Sequence, residues 1–278
     1  MHSPHALDEE VSMEFKRLGS TGEMVPEIGL GTWKYGGDPE IIRRSLELGG
    51  AHIDTAENYH TEDRVGRAIG GGRAGYFIAT KVSPDNLAYK DVLKAAEGSM
   101  KRLGTDHIDL YQVHWPNPRI PIEDTMRAME ELIHLGRVRY VGVSNFSVQQ
   151  LQEAQQALGV HPVVSNQVSY SLFDRAIERD LLPYCEKHQV TVIAYSPLAM
   201  GKMGGELRAK PRLAQVLDEV SAATNKTRAQ VVLAWCVNHP QVITIPQTNR
   251  VHRVEENCAA SGWRLTPEQY GALSEATD

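Results

Sequence analysis

Eight short β-branched runs alternate with stretches of helical period along this chain, and that alternation constrains its fold more than any other feature. The runs are 28–32, 52–55, 76–82, 107–115, 139–144, 163–168, 191–195 and 242–246. Between them, segments 38–48, 91–103, 122–135, 148–158, 179–188 and 213–223 place Leu, Ile, Met and Val three or four positions apart, which gathers apolar groups on one helical face. Strands that alternate with helices pair in parallel, because each helix returns the chain to the same end of the sheet. Eight such units close into a (β/α)8 TIM barrel, α/β in class, and 278 residues suffice to fill one such core. An open doubly wound sheet is the alternative on pattern alone. A single barrel domain over 13–278 is expected, with a flexible N-terminus over 1–12. It should open with an N-terminal β-hairpin across 15–25, turned at Gly19-Ser20-Thr21-Gly22. Two additional helices, 229–238 and 267–276, exceed the eight units and are expected on the barrel exterior. Thr266 is suited to cap the second, with Pro267 in its first turn.

Composition excludes several classes of function. The net charge is −6 and no Lys/Arg cluster follows a phosphate backbone, so no nucleic-acid partner is expected. No run approaches the roughly 20 apolar residues that span a bilayer. The first residues mix His, Pro and acids without an apolar export segment, so a cytoplasmic protein is expected. Cys185, Cys236 and Cys258 are odd in number and widely spaced in helical segments, which suits reduced thiols. With no exposed apolar strand edge or heptad, a monomer is expected.

In a barrel, chemistry sits where strands end and the following loops begin. Asp54 closes its run, Lys81 lies late in FIATKV, His114 lies near the end of IDLYQVHW, and Tyr59 sits in the loop after the second run. Singly, each has an ordinary structural role available. Together they suit carbonyl reduction. A phenol with a reference pKa of about 10 gives up a proton more readily beside an ammonium, and Lys81 is placed to supply one. A buried lysine needs a counter-charge, and Asp54 is placed to provide it. A neutral His114 could donate a hydrogen bond to a substrate oxygen.

The motifs HIDTAENYH at 52–60, FIATKV at 77–82, DLYQVHWP at 109–116, GVSNFS at 142–147, SNQVSY at 165–170, AYSPL at 194–198 and IPQTNRVHRVEEN at 245–257 resemble, in order, those of the aldo-keto reductase superfamily, in a short prokaryotic-type member. The resemblance covers nearly the whole chain. It implies a catalytic tetrad of Asp54, Tyr59, Lys81 and His114, with Tyr59 as general acid. The implied reaction is NADPH-dependent, reversible reduction of aldehydes and ketones over a broad range. The resemblance places the cofactor along Thr32, Trp33, Ser144, Asn145, Gln167, Tyr195, Ser196, Pro197, Leu198, Gly201, Ile245 and Gln247, and its adenosine end at Thr248, Arg253, Glu256 and Asn257. Ser144, Asn145 and Gln167 would meet the carboxamide and Tyr195 would stack on the ring. Segment 200–210, with three glycines, reads as a loop able to fold over a pyrophosphate. No G-x-G-x-x-G follows a strand, so a Rossmann site is not indicated. Gln247 stands where many relatives carry lysine, which leaves NADH possible, with Arg250 near enough in sequence to compensate. Trp33, Tyr59, His114 and Trp115 should line the substrate pocket, with an open mouth because the chain ends at Asp278, after the last predicted helix. Two other readings compete. Some similar proteins bind the cofactor as a regulatory signal, and a metal-dependent barrel hydrolase would need a ligand set such as H-x-H. The first run, reading GLGT, offers no such set, and no metal is expected.

Overall fold

The hairpin and the eight β-branched runs fold as ten strands in the computed structural model, which describes residues 12–70 and 75–277. Phe15–Arg17 (β1) and Met24–Pro26 (β2) form the antiparallel hairpin, with Lys16 opposite Val25. Eight parallel strands follow: Leu30–Gly31 (β3), His52–Asp54 (β4), Phe77–Val82 (β5), Ile108–Val113 (β6), Val138–Ser144 (β7), Val163–Ser169 (β8), Thr191–Tyr195 (β9) and Val242–Thr244 (β10). They pair in sequence order from β3 to β10. Parallel bridges from Ile28 to Thr244 and from Gly31 to Gln247 then join the first strand to the last and close the barrel. The seam needs glycine. A Cβ at Gly31 would lie 2.7 Å from the Ile245 carbonyl oxygen, and one at Gly29 would lie 2.7 Å from that of His52. The Gly-Leu-Gly of the first run is therefore a packing requirement.

Phe77, Ala79, Leu110, Val164, Ile193 and Ile243 fill the barrel interior together with Leu18 and Val25, which the hairpin inserts as a plug. Burying each of these side chains other than Ala79 contributes about 1.5–3 kcal/mol. Lys16 fastens the plug by donating to the carbonyls of His239 and Val242 at 2.9 and 2.8 Å. The plug occupies the end where strands begin, leaving the opposite end open.

Most expected helices form within a residue or two of their expected bounds, and Thr266 caps Pro267–Glu275 by accepting from the Gln269 backbone. Three differences have physical causes. Glu62–Ile69 is a helix although its sequence is largely charged, because buried Glu62 is bonded by Arg102 at 2.7 Å and Thr80 at 2.6 Å. Segment 200–210 is no plain loop: after a single 3-10 turn at Ala199–Gly201 it forms the helix Met203–Ala209. The helix Arg228–Asn238 is apolar on every side, with eight buried residues. It packs on β10 under cover of Pro211–Thr224 and Pro267–Glu275, where Trp235 stacks on Tyr270. Val251–Cys258 is a further helix after the last strand.

The three cysteines are buried without disulfides, and burial pushes each thiol up to about 12. The expectation for residues 1–12 falls, apart from Ser12, outside the described residues. Among the described residues no helix is long and apolar enough to cross a membrane.

Candidate active site

The open end of the barrel collects polar groups from six strands and an apolar one from a seventh. Asp54 ends β4, Lys81 is the penultimate residue of β5, His114 follows β6, Ser144 ends β7, Gln167 lies near the end of β8, Tyr195 ends β9, and Ile245 follows β10. All but Lys81 line one cavity of about 420 Å³.

Tyr59 lies in the 3-10 turn Glu57–Tyr59, where the sequence alone gives little reason for fixed geometry. The structure supplies the fixing. Glu57 accepts from the Ser83 backbone at 2.9 Å and from the Asn86 amide at 2.8 Å, which ties the turn to the loop after β5. On its other flank buried Thr61 meets Thr55 at 3.0 Å and Thr32 at 3.4 Å. None of these anchors except Thr32 was singled out from sequence, since an acid and a threonine in a loop carry no distinguishing pattern.

Beneath Tyr59 lies a buried ion pair. Lys81 Nζ donates to Asp54 Oδ1 at 2.6 Å and to the Thr55 carbonyl at 2.7 Å, and the lysine side chain is fully buried. Asp54 Oδ2 accepts from Gln167 at 2.8 Å, with Gln112 at a longer 3.4 Å. Burial alone would push the Lys81 ammonium pKa down, but Asp54 and Tyr59 outweigh it and hold the value above the ordinary lysine range. Lys81 Nζ sits 4.9 Å from the Tyr59 ring centroid, and the His114 ring meets the same ring edge-on at 5.4 Å.

Two titrations follow from this packing. Burial, reinforced by the Lys81 charge, depresses His114 to about 4, so its ring is neutral at pH 7. Tyr59 departs from the sequence expectation: burial raises its phenol above the ordinary range and outweighs the opposing pull of Lys81. The phenol is therefore fully protonated at neutral pH.

The residues marked for a carboxamide are already joined to each other. Ser144 Oγ donates to the Gln167 carbonyl at 2.8 Å, the Asn145 amide donates to Ser144 Oγ at 3.0 Å and the His114 carbonyl at 3.1 Å, and Tyr195 OH donates to Asn145 Oδ1 at 3.0 Å. Asn145 and Ser196 hold left-handed φ of 65° and 55° at strand ends facing the cavity, a conformation that costs energy and collects at functional sites. Thr32 lines the cavity with its hydroxyl committed to the Asp54 carbonyl at 2.9 Å.

Trp33, Ser196, Pro197, Leu198, Gly201, Ile245 and Gln247 complete the lining together with Gly31, Met200 and Pro246. Trp33 and Trp115 stand on the rim, 44% and 48% exposed, leaving the mouth open. Thr248, Arg253, Glu256 and Asn257 do not line this cavity. Arg253 is exposed and ion-paired with Glu256 one turn along its helix, and Asn257 is buried.

A family model described as the aldo/keto reductase family matches residues 27–278. The chain is 38% identical over 275 residues to the methylglyoxal reductase YeaE of Escherichia coli, covering 95% of each chain. A thermostable aldo-keto reductase, Tm1743, solved with the inhibitor epalrestat, superposes with a TM-score of 0.87 at 40% identity, covering 95% of this chain and all of that one. An aldo-keto reductase of Klebsiella pneumoniae solved with NADPH gives 0.85 at 36% identity, covering 95% of each.

Proposed function

The chain belongs to the aldo/keto reductase family, and from that premise we propose that it reduces small aldehydes and ketones with NADPH, using Tyr59 as proton donor. The observation that carries the proposal is a phenol lining an open cavity, with an imidazole edge-on at 5.4 Å and a buried lysine Nζ 4.9 Å from its ring centroid. When bound, NADPH supplies the hydride for the carbonyl carbon. The strand ends suit such a cofactor: Ser144, Asn145 and Gln167 can exchange their mutual hydrogen bonds for bonds to a carboxamide, while Tyr195 offers a ring face.

The chain's own residues perform the rest. A carbonyl oxygen between Tyr59 and His114 receives a hydrogen bond from the neutral ring and the proton from the phenol. The phenolate left behind is stabilised by Lys81, whose charge Asp54 holds in place at 2.6 Å. That stabilisation acts on the product side, which reconciles a raised resting pKa with proton donation: the ammonium favours the phenolate once negative charge has moved onto it. Alcohol oxidation runs through the same atoms in reverse. Trp33 and Trp115 offer apolar surface at an open rim, so discrimination among carbonyls should be weak. The name of the relative in Escherichia coli supports methylglyoxal as a first substrate to try.

Gln247, exposed and uncharged, and Arg253, already paired with Glu256, favour a second point: NADH is accepted as well. The test is loss of nicotinamide absorbance with methylglyoxal and a nitrobenzaldehyde, with each cofactor, in the presence of chelator. Turnover with NADPH ahead of NADH, undiminished by chelator, is expected. NADPH binding without turnover across the panel would contradict the proposal and favour a regulatory, cofactor-sensing role.

A further inference from the structure

On the barrel exterior, far from the mouth, Glu130, His134 and His161 point ligand atoms at one another. One carboxylate oxygen and one nitrogen from each imidazole all lie within 4.8 Å of each other. Glu130 and His134 are four residues apart on the helix Ile122–His134, a spacing that aligns both on one face. His161 comes from the short link between the helix Val148–Leu158 and β8. Helix ends and strand starts meet at the barrel end opposite the catalytic mouth, so this cluster sits on the stability face.

We propose that Glu130, His134 and His161 form a binding site for one divalent transition-metal ion of the zinc class. Two imidazoles and a carboxylate are a ligand set suited to Zn²⁺, with water in the fourth position. Tetrahedral bonds of about 2.1 Å separate ligand atoms by roughly 3.4 Å, so atoms lying within 4.8 Å of one another need to close by at most about 1.4 Å. The side chains are available for it. Among the described residues neither Glu130 nor the ring nitrogens of His134 and His161 take part in a hydrogen bond or ion pair. The two rings meet edge-on with centroids 5.8 Å apart. Gly159 makes room: a Cβ there would lie 3.1 Å from Glu130 Oε1, where its φ of +76° also favours glycine. The set is not legible in the sequence, because a strand and a second helix lie between His134 and His161.

An ion held there ties the end of one outer helix to the entry of β8, the strand that carries Gln167, so its effect is on stability and not on chemistry. Metal-stripped wild type titrated calorimetrically with Zn²⁺ should bind one ion at micromolar concentration and melt at higher temperature, with unchanged reductase turnover. Co²⁺ should give the intense visible bands of a four-coordinate ion. His134→Ala and His161→Ala should each weaken binding by more than about tenfold, and Glu130→Gln should weaken it less while keeping side-chain volume. Melting of the variants in chelator should match wild type, which separates lost ligands from lost folding. Absence of micromolar binding in wild type, or titrations of all three variants that overlay it, would overturn the site.

Discussion

At the barrel mouth Lys81 is fully buried and bonded to Asp54 at 2.6 Å, whereas beyond the last strand Arg253 is exposed and pairs with Glu256 on its own helix. Both are ion pairs between a base and an acid, yet their surroundings give them different consequences. In the barrel, water is excluded, each charge depends on the other, and removing one strands its partner. On the helix, Arg253 is half exposed, solvent screens the pair from that side, and the arginine can be exchanged for modest energy. The end that would move protons is thus rigid in composition, while the end that would discriminate between cofactors is open to adjustment. In the proposed reading, Gln247 and the Arg253–Glu256 pair are where such adjustment would be made.

The comparison is most strongly tested at Lys81. Lys81→Met should lower kcat/KM by about 10²–10⁴-fold. It should also destabilise the fold by about 3–5 kcal/mol in urea unfolding, because Asp54 is left charged and buried. Adding Asp54→Asn should restore much of the stability and none of the activity. A double variant as unstable as the single one would mean that the pair is not the unit described.

Acid is the next lever. His52 is buried with no hydrogen-bond partner for either ring nitrogen, and burial depresses it to about 4, as it does His114. As pH falls from the unfolded value near 6.5 toward 4, the unfolded chain binds protons that the folded one does not. The stability present above about 6.5 is therefore lost in that window, by about 3 kcal/mol for each histidine. Urea midpoints between pH 7 and 4.5 should fall accordingly, and His52→Leu should flatten part of the slope. An unchanged slope would contradict the assignment.

The smallest effect belongs to the exposed end. Arg253→Ala should weaken NADPH by about 1–3 kcal/mol and leave NADH nearly unaffected, whereas Gln247→Lys should move the preference the other way. Fluorescence titration of each cofactor decides it. Equal losses for both cofactors would show that Arg253 does not meet the 2′-phosphate.

The repeating alternation made the barrel legible, and the residues at strand ends made the mouth legible, because period and position are written in the chain itself. Less legible was what depends on pairing across distance. Glu62–Ile69 hides as a charged stretch until Arg102 and Thr80 meet Glu62. Glu57 and Thr61 anchor the Tyr59 turn through partners far along the chain. The direction of the Tyr59 shift needed the depth of burial, which residue type does not reveal. Gln112, beneath Asp54, reads in sequence as one more polar residue in a strand.

In the proposed reaction Tyr59 delivers the proton within a site that otherwise stays intact. Single-turnover oxidation of bound NADPH by methylglyoxal in wild type and Tyr59→Phe, with NADPH affinity measured in both, tests it most directly. Unchanged affinity and a rate reduced by about 10²–10⁴-fold in the variant are expected. A variant that binds NADPH equally and reduces methylglyoxal at the wild-type rate would contradict it.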